Sequence, residues 1–302
     1  MDIKEKFQLQ KNSYISHNIK VALCTMGKKE NLYVNEFAEY YFNLGFDHLF
    51  IYDDNDPNDE KISNAIGSKY KDNITIYENV KKNNINRQDE AFNDCYMKNS
   101  HEYDWFAMFD MDEYLYIVDG NIKDYLTSNI FDKCDFIRIH WASTNDNNLV
   151  HYENRSLFER FKAPYFKDNT IKSLIRGNIT DLKYWVHSPM ISPKRNVSCL
   201  NNGEKFDGDF KSEGHKIINV DKAFLVHFRY KSTEEFIAKY KRGYSNWFKD
   251  GIKSFLDRKL DEYFEQNKIT IEKINYIEKE LNLNLLKYRI KYYFSKLFML
   301  FY

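Results

Sequence analysis

The chain has 302 residues with 45 Lys+Arg against 45 Asp+Glu, and a formal net charge of zero argues against a general nucleic-acid binder, which is normally strongly basic. At 43% hydrophobic and 17% aromatic it can build a core, so wholesale disorder is excluded. Only 10 Gly and 4 Pro speak against a glycine-rich phosphate loop or a proline-rich linker. The length suits one large or two modest domains.

Residues 1–20, MDIKEKFQLQKNSYISHNIK, lack the apolar core of a secretory signal, and no stretch approaches the roughly 18 apolar residues of a membrane span. Ile19 to Thr25 is an apolar run suited to a buried strand. Asn31 to Leu44 carries Leu32, Phe37, Tyr40, Tyr41 and Leu44 at helical intervals, with Gly45 as a stop. Asp47 to Tyr52 predicts a second strand running into the acidic turn DDNDPND, and Ile74 to Tyr77 a third. Glu90 to Ser100 reads as helix, and Trp105 to Phe109 as a fourth strand ending in DMDEY. This alternation predicts an α/β fold with a parallel sheet covered on both faces, whose ligands bind at the carboxyl ends of the strands. Both acidic clusters, at Asp53 and at Asp110, fall at such ends.

Further along, Phe136 to His140 and Ala223 to Phe228 read as strands, and Ser232 to Tyr244 and Ile252 to Leu281 as helices. No internal repeat or low-complexity linker interrupts the chain. The expected organisation is one domain over 1–245, with halves at about 19–118 and 119–245, followed by a helical tail over 246–302. Cys24, Cys95, Cys134 and Cys199 lack paired spacing, which predicts reduced thiols and a cytoplasmic setting rather than a disulfide frame or zinc site. No acidic residue follows Glu280. Apolar Leu286, Ile290, Tyr293, Leu297 and Phe301 recur at helical spacing among Lys287, Arg289, Lys291 and Lys296. Such a terminus either lies on an anionic membrane, through 285–302, or packs on the body or on a second subunit of a homodimer.

The chemistry-bearing motif is Asp110-Met111-Asp112. In an extended chain, side chains two apart share a face, so both carboxylates converge while Met111 enters the core. Two hard oxygen ligands at a strand end suit Mg²⁺ or Mn²⁺, which take remaining ligands from water and substrate phosphates. The aspartyl-phosphate hydrolase pattern, Asp-x-Asp-x-Thr, fits poorly, since Tyr114 stands where its threonine belongs.

Taken in order, IKVALCT, KKENLYVNEFAEYYFNLGFDHLFIYDDNDPND, RQDEAFNDC and YDWFAMFDMDEYLYI resemble the nucleotide-sugar half of GT-A-fold glycosyltransferases, in the family 2-like and family 92 group. The resemblance continues through IHWASTNDN, SLFERF, KSLIRGN, WVHSP and AFLVHFRYKSTEEFIAKYKRG, covering about Ile19 to Gly243. It implies a Rossmann-like, mostly parallel sheet and a metal-dependent sugar transfer from a nucleotide-sugar, a UDP-sugar first among them, to a glycan or lipid-linked glycan. By position it implies Asp110 and Asp112 as metal ligands with Glu113 completing the motif, and His227 as a late third ligand. Asp53 and Asp54 match the turn that holds uracil or ribose, with an Asx-turn as the plain structural alternative. Thr25 and Glu30 match a base-contacting loop and Arg87 and Gln88 a donor-facing block, with a surface charge as the alternative for Arg87; Lys231, Lys239 and Arg242 belong to a helix that lies near the diphosphate or presents a solvated face, the latter favoured for Lys239. Lys172, Arg176 and His187 form a further cleft-lining block.

The related families are mostly inverting, which requires a carboxylate base at the acceptor hydroxyl. Asp146 in WASTNDN is the candidate, with Glu159 and Asp181 as alternatives. The expected setting is bacterial surface-polysaccharide synthesis at the inner face of the cytoplasmic membrane. Two other readings stay open: a nucleotidyltransferase, which would need a basic or glycine-rich triphosphate loop after the first strand, and a non-catalytic glycan-binding protein of the same fold.

Overall fold

Six of the seven residues of the first strand, Val21–Gly27 (β1), are buried, as expected of a strand covered on both faces. The computed structural model describes residues 18–78, 87–162, 166–185, 187–190, 197–206, 218–242 and 252–298. Helix α1 (Val34–Leu44) follows, stopped at Gly45, whose φ of 102° closes the helix through N–H bonds to the Phe42 and Tyr41 carbonyls. β2 (His48–Asp53), the short α2 (Ile62–Ala65) and β3 (Ile74–Tyr77) come next, then α3 (Arg87–Asn99), β4 (Trp105–Met108) and β5 (Glu113–Ile117). After α4 (Ile122–Leu126) and β6 (Phe136–Ser143), α5 (Leu157–Arg160) precedes the long β7 (Phe166–Arg176). β8 (Lys183–Trp185) and β9 (Ser188–Met190) form a small hairpin, followed by β10 (Ser198–Leu200) and β11 (Ala223–His227). Helices α6 (Thr233–Lys241), α7 (Ile252–Gln266), α8 (Ile271–Leu281) and α9 (Leu286–Phe298) are the last elements among the described residues.

The main sheet runs β3-β2-β1-β4-β7-β6-β11-β5, with β10 paired to β6. The β3-β2-β1-β4 half is parallel throughout, as the alternation of strands and helices predicts. Beyond it β7 is antiparallel to both β4 and β6, and β5 is antiparallel to β11, so the sheet is mixed rather than wholly parallel. Its helix-covered core gathers Ala22, Cys24, Phe92, Phe106, Met108 and Phe136.

The described residues divide into two compact units. One lies within Met1–Ser143 and Phe166–His227, the other within Thr144–Tyr165 and Phe228–Tyr302. The second unit thus joins a mid-chain segment to the helices that follow His227. In that second unit Arg160 is fully buried and pairs with Glu235 at 2.6 Å, which ties the recruited segment to α6. Glu235 also closes a capping box with Ser232 at the α6 N-terminus. The single helix expected over Ile252–Leu281 is two, because Thr270 caps α8 by accepting from the Lys273 N–H.

One expectation fails outright. Cys134 and Cys199 form a disulfide, while Cys24 and Cys95 are free and buried. The pairing of β10 beside β6 brings these distant residues together, which sequence spacing cannot reveal. No described helix is long and apolar enough to cross a membrane.

Candidate active site at an acidic sheet edge

The β4–β5 connection is a tight turn rather than an extended segment. The Glu113 N–H donates to the Asp110 carbonyl at 3.0 Å, and the Asp110 N–H donates to Glu113 Oε2 at 3.0 Å. Asp110 and Asp112 thus owe their placement to a turn, which corrects the same-face argument from extended spacing. Met111 does enter the core, and β1 makes room for it: a Cβ on Gly27 would lie 3.0 Å from Met111 Cε. From behind, α1 clamps β5, with Tyr41 Oη donating to the Glu113 carbonyl at 2.8 Å and Tyr40 Oη to the Leu115 carbonyl at 2.7 Å.

Lys172, carried by β7 and fully buried, projects into this turn. Its Nζ is 2.9 Å from Asp110 Oδ1 and 3.7 Å from Glu113 Oε1. Burial works against its charge, but the carboxylates of Asp110 and Glu113 outweigh it and raise its pKa. Burial pushes the Glu113 carboxyl up, with Lys172 pulling the other way. Gln88, at the start of α3, donates to the same Asp110 oxygen. Even with Glu113 protonated, the two aspartates outnumber the one ammonium.

β11 delivers His227 to the other side of the turn. It stands opposite Glu113 on β5 and beside Ser143 on β6, and its Nε2 lies 3.6 Å from Asp112 Oδ2. The ring packs on Trp141, centroids 4.1 Å apart, and Trp141 in turn meets His187 edge-on at 5.7 Å. The β6–β7 register shifts between His140 and Ala142, and this irregularity re-aims Trp141 toward the histidines. Burial, then the Lys172 charge, lower the His187 pKa to about 4. Trp141 Nε1, Ser143 Oγ and Tyr184 Oη are buried without hydrogen-bond partners among the described residues, a cost that a bound ligand could relieve.

Two carboxylates and an imidazole are the hard oxygen and borderline nitrogen donors that Mn²⁺ and Mg²⁺ accept, and the excess negative charge favours a divalent cation. Among the described residues no three His, Cys, Asp or Glu side chains are already gathered as a metal centre. Asp112 and His227 are the donor pair nearest to one, with Asp110 engaged by Lys172. The donor chemistry therefore fits a divalent ion whose remaining ligands are not protein.

At the ends of β1 and β2 the expected nucleoside side is divided between structural and open groups. Asp53 is an Asx-turn residue: Oδ1 accepts from the Asn55 N–H at 2.9 Å and Oδ2 from the Ile62 N–H at 2.8 Å. Asp54 is buried and faces Arg87, Nη2 to Oδ2 at 3.1 Å. Thr25 lies inside β1, not in the following loop, and its buried Oγ1 has no partner among the described residues. Glu30 is buried in that loop, which Asn55 stitches shut by accepting from the Lys29 N–H at 2.5 Å. Lys28 and Lys29 pair with Asp56 and Asp59 at 3.9 and 3.2 Å.

Other expected residues fall in the second unit or make structural contacts within the first. Asp146, in the second unit, accepts from Tyr263 Oη at 2.5 Å and pairs with Lys273 at 2.5 Å, while its Oδ1 accepts from the Asn148 N–H. Glu159 closes the α5 capping box with Ser156, and Asp181 is exposed in a turn. Arg176 supports the chain end of β7, donating to the Cys134 carbonyl at 2.9 Å and stacking on Trp105. Lys231, at φ 56°, is buried in the second unit, Lys239 reaches the Arg229 carbonyl, and Arg242 caps α6. Lys172 and Trp141 are the residues that sequence reasoning underweighted; an isolated lysine in an apolar strand, IKSLI, is the signal for the first.

A mixed α/β fold with a curled central sheet flanked by helices is consistent with a glycosyltransferase-like architecture. The comparisons are specific: residues 17–285 match the model of glycosyltransferase family 92, and the chain belongs to that family. A glycosyltransferase family 92 protein of Ricinus communis is 22% identical over 238 residues, covering 76% of this chain and 39% of the relative. One of Arabidopsis thaliana is 24% identical over 251 residues, covering 80% of this chain and 40% of the relative. The chain thus spans about two fifths of the length of these curated relatives.

Proposed function

We propose that this chain is a metal-dependent, inverting glycosyltransferase that takes a nucleotide-sugar, a UDP-sugar first among them, and transfers its sugar to a hydroxyl of a glycan or lipid-linked glycan. Family membership supports the reaction class. The observation that carries the finer reading is the buried Asp112–His227 pair, 3.6 Å apart, beside a turn with more carboxylates than cations. Asp112 and His227, with the free oxygen of Asp110, would hold Mn²⁺ or Mg²⁺, which when bound supplies charge neutralisation to a departing diphosphate. The chain's own residues do the rest. The Asp54–Arg87 pair orients the nucleoside, and Gln88 and Lys172 fix Asp110. Asp146 takes no part as a base in this reading, because Lys273 and Tyr263 engage its carboxylate. UDP release from UDP-sugars, measured with and without Mn²⁺, tests the reading; release that is indifferent to chelation removes the metal.

The nucleotidyltransferase reading is weaker, since Lys28 and Lys29, its only basic groups after β1, are turned to Asp56 and Asp59. A non-catalytic glycan binder would leave the Asp112–His227 pair without a task.

The C-terminal helix supports attachment to an anionic membrane surface. One face of α9 packs inward through Leu285, at its start, and Tyr288, while Leu286, Ile290, Tyr293 and Phe294 stand 46–59% exposed on the other, beside Lys291. The full chain should sediment with phosphatidylglycerol vesicles and not with neutral ones, and removing residues 286–302 should abolish that sedimentation. Surface-polysaccharide synthesis at the inner face of the cytoplasmic membrane further requires Cys134 and Cys199 to be reduced in the cell. Thiol labelling in intact cells decides that, and a protected pair assigns an oxidising compartment instead.

A further inference from the structure

We infer that Lys172 is a resident counter-cation that keeps divalent-ion affinity low in the free protein and lets it rise when a nucleoside diphosphate binds. The inference rests on the metal-dependent reading above and names how that site is regulated.

Three observations carry it. The Lys172 side chain has no exposure, so its ammonium cannot swing into solvent when a second cation approaches. Its Nζ lies 2.9 Å from Asp110 Oδ1, so one oxygen of an expected metal ligand already serves a positive charge, and Gln88 donates to the same atom. The lysine is also fixed in the interior of the sheet: β7 lies between β4 and β6, with Lys172 opposite Ile139. A divalent ion that also draws on Asp110 therefore meets a fixed like charge 2.9 Å from one oxygen of that ligand. A diphosphate brings several negative charges and reverses that balance. By linkage the ion must tighten the nucleotide by the same factor as the nucleotide tightens the ion. Lys172 is thus a positioning residue acting through Asp110, and it favours capture of the ion together with its nucleotide.

Titration of the full chain with Mn²⁺, followed by electron paramagnetic resonance and calorimetry with and without UDP, tests this without relying on turnover. In the wild type, UDP should tighten Mn²⁺ at least about tenfold, and Mn²⁺ should tighten UDP equally. Lys172→Gln and Lys172→Met should bind Mn²⁺ alone about tenfold tighter than wild type and gain much less from UDP, whereas Lys172→Arg should behave as wild type. A structural role alone would lower the melting temperature of the variants without tightening Mn²⁺. Wild-type Mn²⁺ affinity that is equal with and without UDP overturns the inference even if no variant folds, as does unchanged or weaker Mn²⁺ binding in the neutral variants. No Mn²⁺ binding by the wild type under either condition overturns the metal reading itself, and this inference with it.

Discussion

Each unit buries a lysine against a carboxylate, and the two arrangements differ in how completely the charges are used. In the second unit Asp146 meets Lys273, Tyr263 Oη and the Asn148 N–H, and its own N–H is taken by Asn267. One negative charge faces one positive charge and every strong acceptor is engaged. In the first unit Lys172 faces Asp110, Glu113 and, further off, Asp112, while the Asp110 side chain remains 28% exposed. Residue types are alike and both lysines are fully buried; the surplus of carboxylates and the open side of Asp110 set the first unit's pair apart. A buried pair that closes on itself holds a fold together, whereas one that leaves charge over is available for chemistry.

The comparison can be broken most sharply at Asp112 in the first unit and at Lys273 in the second. Asp112→Asn should lower kcat for sugar transfer about 1000-fold, with circular dichroism and melting temperature close to wild type. Lys273→Met should do the reverse: it strands Asp146 without its partner and should cost about 3–5 kcal/mol in urea unfolding, with kcat per folded molecule retained. If Lys273→Met left stability intact and removed activity, Asp146 would belong to the chemistry after all. A smaller effect tests the first unit's electrostatics. His187 titrates near pH 4 when folded against about 6.5 when unfolded, so neutral His187 contributes stability above pH 6.5 that is lost as pH falls toward 4. His187→Gln should flatten this part of the stability–pH curve by about 3 kcal/mol at most. Least of all, Asp54→Ala should raise the donor KM about tenfold while leaving the acceptor KM unchanged, if the Asp54–Arg87 pair serves the nucleoside alone.

Much of the first unit was legible in the sequence because its signals are local. The β3 boundaries, the Gly45 stop and the acidic turns at two strand ends are written in single short segments. What escaped depends on pairing between distant segments. The Cys134–Cys199 bond and the antiparallel insertion of β7 between β4 and β6 follow from sheet order, for which no sequence period exists. Lys172 reaches Asp110 only because β7 runs there. The helix break at Thr270 was missed for another reason: apolar spacing continues across it, so periodicity outweighed a capping signal that lay in plain view. Asp53 shows the converse, since an Asx-turn and a nucleoside ligand ask for the same residue type and only the hydrogen bonds of Oδ1 and Oδ2 tell them apart.

The placing of His227 opposite Glu113 across the β5–β11 ladder has a bearing on how such a site can change over time. Because side chains alternate along a strand, a single-codon insertion or deletion within β11 would turn His227 away and present Val226 or Phe228 in its stead, leaving the ladder itself able to re-form. Such a slip would also carry the buried Ala223, Leu225 and Val226 out of their places in the core, so losing the histidine by this route would cost stability as well. Descendants that lost turnover yet kept the scaffold should therefore carry replacements of His227 more often than length changes between Ala223 and His227.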